Sequence, residues 1–172
     1  MPDEVKVKTV PKGYRTATPY LTIKDVKAAL AFYKKAFNAK ELFAMPTPDG
    51  KIMHAEIKIG NSIIMMGEEW PDYGALSPKT IGGSGSSIYL YVRNCDRVYK
   101  RALKAGATSV MEPADQFYGD RSAKVTDPFG HVWGIATHKE DLTPEQVAER
   151  AQKWMASHAS GGPELRSGGT RD

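Results

Sequence analysis

Cysteine is almost missing. Cys95 is the only one in 172 residues, which excludes an intramolecular disulfide and any metal site built on several thiolates. Long apolar runs are missing too. The longest, such as Ile63-Ile64-Met65-Met66, are strand-length, far short of the roughly 20 residues a membrane-spanning helix needs. The first residues, Met1 to Lys6, carry acid and no apolar stretch, so no secretory signal is expected and a cytoplasmic protein is. Charge of one sign does not gather either. Twenty-four basic and twenty acidic residues leave a net +4, and the bases sit among acids without forming a block. No nucleic-acid footprint is expected from such a spread, whereas an anionic small substrate stays compatible with it. What is present is a globular composition, 41% hydrophobic and 26% charged, in a chain long enough to bury a core unaided.

The ordered pattern begins near Thr16, after a polar, lysine-rich extension over residues 1–15. Tyr20-Leu21-Thr22-Ile23 reads as a strand, and Asp25 as the N-cap of a helix with Val26, Ala29, Leu30, Tyr33 and Phe37 at helical spacing. Asn38 suits a left-handed C-terminal cap. Three strands follow: Glu41–Met45, Met53–Ile59 and Ser62–Met66. Gly67 to Ser87 reads as a linker.

Then the order restarts. Ile88-Tyr89-Leu90-Tyr91-Val92 echoes Tyr20-Leu21-Thr22-Ile23. A helix through Val98, Tyr99, Ala102 and Leu103 stops at Gly106. Strands follow at Thr108–Met111, Ser122–Thr126 and His131–Thr137. Two copies are too few for a solenoid. They read as one pseudo-symmetric domain over 16–138, with repeats 16–67 and 86–138. Thr143-Pro144 then opens an amphipathic helix within 139–159, with Val147, Ala151, Trp154 and Met155 on one face. A glycine- and serine-rich tail at 160–172 is flexible by composition.

The segment Val125-Thr126-Asp127-Pro128-Phe129-Gly130-His131-Val132-Trp133-Gly134-Ile135-Ala136-Thr137-His138 is similar to the ending of the PhnB-like branch of the vicinal oxygen chelate superfamily, the glyoxalase, bleomycin-resistance and dioxygenase proteins. The helix ending Ala31-Phe32-Tyr33-Lys34-Lys35-Ala36-Phe37-Asn38-Ala39 resembles the same family. The resemblance covers about residues 16–138. It implies an α+β fold of two βαβββ modules forming a cupped, eight-stranded mixed sheet around a cleft. It also implies divalent-metal ligands on the first and last strands of each repeat. Carried over by register, those positions are Thr18, Ile64, Ser87 and Gly134, none of which suits a divalent metal. No cofactor is therefore expected, and a metal would need a site elsewhere.

The residues expected in the cleft follow from strand alternation. His54, Glu56 and Lys58 share one face of the third strand. Tyr20, Tyr89 and Tyr91 take inward positions on the first strand of each repeat, and Lys124 lies opposite. Aromatic rings with a few polar groups describe a small-molecule site, but they also describe rings that simply fill a sheet junction. His54 and Glu56 could form an acid–base pair, ligate a metal, or line a plain polar edge. Arg121, after the loop from Gln116 to Asp120, is placed at the mouth, where it could clamp an anion or pair with Asp120. His131 and Cys95 read as structural. The expected activity is metal-free binding of a small aromatic or polar compound. The alternative is a glyoxalase-, lyase- or isomerase-type enzyme acting on a small metabolite. A homodimer is expected; a nucleic-acid or membrane partner is not.

Overall fold

The computed structural model describes residues 7–158; the tail expected at 160–172 lies outside the described residues. The first repeat runs β1 (Tyr20–Ile23), α1 (Val26–Phe37), β2 (Lys40–Pro46), β3 (Ile52–Ile59) and β4 (Ser62–Glu68). After a 3-10 turn (Pro71–Tyr73) and a short helix α2 (Pro78–Ile81), the second runs β5 (Ser87–Tyr91), α3 (Cys95–Ala105), β6 (Thr108–Asp115), β7 (Asp120–Thr126) and β8 (Val132–His138). Helix α4 (Pro144–His158) closes the described chain.

The local chemistry explains the elements. Asp25 accepts from Ala28 N at the start of α1, and Asn38 closes it at φ 54°. Asn94 accepts from Arg97 N at the start of α3, and Gly106 ends it at φ 114°, a backbone state that glycine enters without steric cost. In α4, Thr143 Oγ1 accepts from Gln146 N while Gln146 Oε1 accepts from Thr143 N. This is a reciprocal capping box.

The eight strands form two four-stranded sheets, ordered β1-β4-β3-β2 and β5-β8-β7-β6. In each, the first strand runs parallel to the last and the others pair antiparallel. The expected α+β fold of two βαβββ modules is present, its eight strands lying as one four-stranded sheet per module. The reason is visible in the packing of the helices. Alternate strand residues Leu21, Ile23, Ala55, Ile57, Ile64, Ala123, Val125, Trp133 and Ile135 are buried with both helices in one core. Tyr33 and Phe37 of α1 reach across to the second repeat, with Phe37 4.7 Å from the Trp133 ring. Each sheet therefore turns one face to the shared helices. The other faces carry the exposed side chains of Tyr20, Phe43, Tyr89 and Tyr91.

The seam between repeats is also hydrogen-bonded. The Tyr33 hydroxyl donates to Asp127 Oδ2 at 2.7 Å, Arg101 Nε donates to the Ala36 carbonyl at 2.6 Å, and His131 Nε2 lies 3.2 Å from the Thr22 carbonyl.

Candidate functional site

On the first sheet, the register Phe43↔Glu56 and Met45↔His54, with Glu56↔Met65 and Tyr20↔Met65, places Tyr20, Met65, Glu56, His54 and Phe43 on the face away from the helices. His54 Nε2 is 3.2 Å from Glu56 Oε1, and His54 Nδ1 is 3.4 Å from the Tyr20 hydroxyl. Both ring nitrogens are therefore engaged. The Tyr14 hydroxyl donates to Glu56 Oε2. That hydrogen bond, followed by the one from His54, holds the Glu56 carboxyl below its ordinary range, while the same bond pushes the Tyr14 phenol up to about 12. Tyr14 lies in the extension and belongs to no periodic pattern, so nothing in the sequence marks it.

On the second sheet, Tyr89↔Gly134 and Tyr91↔Ala136, with Lys124↔Gly134, Ser122↔Ala136 and Asp120↔His138, give the equivalent face. Its centre is a glycine. A Cβ at Gly134 would stand 2.3 and 2.7 Å from Cδ2 and Cε2 of Tyr89, so the ring packs against the strand only because that residue has no side chain. Tyr89 and Tyr91 pack edge to face at 5.3 Å. The Tyr91 hydroxyl donates to Asp120 Oδ2 at 3.0 Å, which raises the phenol pKa. Asp120 Oδ1 lies 2.8 Å from His138 Nδ1, and His138 Nε2 lies 3.0 Å from Asp141 Oδ1. The Tyr118 and Ser122 hydroxyls are 3.2 Å apart. Asp120, His138 and Tyr118 are members of this cluster that strand-by-strand reading does not single out. The signal for Asp120 is the alternation of β7, which starts two residues before Ser122; His138 continues the parity of Gly134 and Ala136 on β8, and Tyr118 lies in the turn before β7.

That start also corrects the expectation for Arg121. It lies inside β7 and alternates onto the helix side. There it donates to both Asp96 oxygens at 2.7 and 2.8 Å and to Asp115 at 3.1 Å. Its neighbour Asp120 points to the other face and does not pair with it. Three neutralising contacts leave Arg121 no free fork for a ligand. The structure gathers His54, Glu56 and Tyr20 on one sheet, and Tyr89, Tyr91 and Lys124 on the other. Clefts of about 660 and 460 Å³ at the junction take in Tyr89, Tyr91 and Tyr20, but not His54, Glu56 or Lys124.

The metal that the resemblance implies does not fit these residues. Ile64 turns into the core, 1% exposed, so the outward residues at or beside the four expected positions on β1, β4, β5 and β8 are Tyr20, Met65, Tyr89 and Gly134. None offers imidazole, carboxylate or thiolate. Among the described residues, no three His, Cys, Asp or Glu side chains are grouped to hold a metal ion. Cys95, 1% exposed, donates its thiol to the Ile135 carbonyl, and burial pushes its pKa to about 11. No described helix is long and apolar enough to cross a membrane.

The chain is 36% identical over 147 residues to an uncharacterised protein of Mycobacterium tuberculosis, covering 84% of this chain and 84% of that protein. Its fold is similar to a solved gene product of Arabidopsis thaliana, with TM-score 0.58, 26% identity, and coverage of 72% and 98%. It is also similar in fold to the PhnB protein of Bacillus cereus, with TM-score 0.56, 12% identity, and coverage of 72% and 99%. Residues 15–135 match the family model described as the Glyoxalase/Bleomycin resistance protein/Dioxygenase superfamily, and with the two βαβββ repeats in place the chain belongs to that superfamily.

Proposed function

We propose that this protein binds a small aromatic or polar compound without a metal, on the outward sheet faces, as a homodimer. The observation that carries the reading is the Tyr89 ring seated on Gly134. Where the family pattern calls for a metal-ligating side chain, this chain has cleared the strand to lay down an aromatic surface, with the Lys124 ammonium two residues beyond buried Ser122. A planar ring stacks on such a surface, and Lys124, which makes no ion pair among the described residues, supplies charge.

Binding is favoured over acid–base catalysis by the state of His54. Its two nitrogens already face Glu56 and Tyr20, so it lacks the free nitrogen a general base needs. Glu56 and the Tyr20 hydroxyl fix the orientation of the imidazole, which suits recognition of a polar group.

The dimer follows from incompleteness. Tyr20, Phe43 and Met53 are 55%, 48% and 43% exposed, and Tyr91 is 67% exposed. Faces this apolar are interaction surfaces. Setting the first sheet of one copy against the second sheet of another would bring the His54 group to the Tyr89–Tyr91 group and close a cup.

The test is sedimentation together with a thermal-shift screen of metals and aromatic metabolites on wild type, His54→Ala and Lys124→Ala. A dimer at micromolar concentration is expected, along with hits that are indifferent to chelator and weakened in both variants. A monomer, or unchanged affinity in both folded variants, overturns the reading.

A further inference from the structure

A second feature, which borders the outward face at Tyr89 and Tyr91 but holds none of His54, Glu56 or Lys124, carries its own function. The cleft of about 660 Å³ runs between the C-terminal end of α1, the β3–β4 hairpin, and the edge of β5 with the start of α3. Three arginines line it: Arg93, Arg97 and Arg101. They fall at four-residue intervals, so Arg97 and Arg101 stand one turn apart on the same side of α3. No Asp or Glu lines the cleft. None of the three takes part in an ion pair among the described residues. The acid in that stretch, Asp96, is committed to Arg121 on both of its oxygens.

Like charges at this spacing destabilise a helix. Arg101 is moreover half-buried and pinned, its Nε donating to the Ala36 carbonyl at 2.6 Å. Burial and the Arg97 charge both disfavour its charged form. A fold that keeps three uncompensated guanidinium groups around one concavity gains stability when an anion enters. We infer that this cleft is a binding site for a small phosphate-bearing molecule.

Guanidinium forks match phosphate oxygens in pairs and remain charged at all relevant pH values. A volume of this size is within the range of small-molecule sites. Across from the arginines, Asn38 and Asn61 offer amide donors and acceptors. At one end stands Tyr91, whose hydroxyl is held by Asp120, so that it offers a ring surface and no free hydroxyl.

The experiment is calorimetric titration of the full chain with inorganic pyrophosphate, then with adenosine monophosphate, at low and moderate salt. The variants are Arg97→Gln, Arg101→Gln and, as a control away from the cleft, Lys153→Gln. One saturable site per chain is expected, weakened by salt. Affinity is expected to fall about tenfold in each arginine variant, and to be unchanged in Lys153→Gln. Arg97 is exposed and makes no side-chain bond that the fold requires, so Arg97→Gln keeps the test sound even if Arg101→Gln unfolds. Absence of saturable binding overturns the inference. So does equal loss in the lysine control, which would mark nonspecific charge attraction. A changed sedimentation coefficient in Arg97→Gln with pyrophosphate affinity unmoved also overturns it, since the cleft would then be a contact between copies. His54→Ala and Lys124→Ala leave these arginines untouched, so failure here and failure of the sheet-face reading are separately visible.

Discussion

The hydroxyl of Tyr33, on the first helix, donates at 2.7 Å to Asp127, the carboxylate that organises the last turn of the second repeat. The same carboxylate accepts from Trp133 Nε1 and from the backbone amides of Phe129 and His131, each at 2.9 Å. Four donors thus converge on one side chain that is 3% exposed.

Removing that acceptor strands buried donors, each costing roughly 1–3 kcal/mol. Asp127→Ala is expected to destabilise by about 3–5 kcal/mol, and Tyr33→Phe by about 1–2 kcal/mol. Urea denaturation checks both. An Asp127→Ala loss below about 1 kcal/mol would show that the turn holds its shape without the carboxylate.

The histidines act in opposite senses. Hydrogen bonds to Asp141 and Asp120 raise the pKa of His138 above 6.5. Its contribution to stability is complete below 6.5 and is lost as pH rises through the raised folded value. Burial lowers the pKa of His131 below 6.5. Its contribution is complete above 6.5 and is lost as pH falls through the lowered value. Melting temperature against pH is expected to decline on both sides for wild type. His138→Gln is expected to flatten the alkaline decline and leave the acid one. A variant that alters only the acid side contradicts the assignment.

Two glycines on the last strands of the two repeats predict different outcomes. At Gly134 the three atoms nearest an added Cβ all belong to the Tyr89 ring, a side chain that can swing away. Gly134→Ala is expected to keep the fold and lose the ligand found by screening. At Gly67 the Cβ meets the Met53 carbonyl oxygen at 2.7 Å as well as Tyr20, and backbone cannot yield as easily. Gly67→Ala is expected to destabilise by about 1–3 kcal/mol. Paired melting and binding measurements separate the cases; equal effects on both readouts at the two sites would refute the contrast.

Cys95 is predicted to be inert in the native state. Its thiol is buried, with a pKa near 11, so little thiolate exists at neutral pH. Reaction with a colorimetric disulfide reagent is expected to follow urea unfolding. Immediate stoichiometric reaction in buffer would disprove it.

The strand–helix–strand–strand–strand order is legible from sequence because its signals are local. Asp25, Asn38, Asn94 and Gly106 cap helices by their own chemistry, and alternation in β3 sorts His54 and Glu56 from Ala55 and Ile57. What is not legible depends on distance along the chain. Arg121 goes to the helix side because β7 begins at Asp120, and no residue type announces that boundary. Tyr14 reaches Glu56 from an aperiodic segment. The two faces part because Tyr33 and Phe37 of one repeat fit against Trp133 of the other, a match of shapes with no linear pattern. The turn motif Asp127-Pro128-Phe129-Gly130 is readable as a turn, while the role of Asp127 as a four-way acceptor is visible only once Tyr33 and Trp133 surround it.

The contacts across the seam bear on the covalent link between the repeats. Tyr33 with Asp127, Arg101 with Ala36, and Phe37 with Trp133 hold the halves together through side chains. The chain between them is anchored only in part: Ser77 and Pro78 are buried, and Pro78 closes against the Gly130 turn. Beyond them, Gly83 and Gly85 stand in open space. Continuity of the backbone at that point contributes little cohesion. A chain severed between Gly83 and Gly85 is expected to reassemble from its two fragments, whereas either fragment alone, with Trp133 or Tyr33 unmatched, is expected to stay unfolded. The molecule would then behave as a permanently tethered heterodimer of two half-proteins.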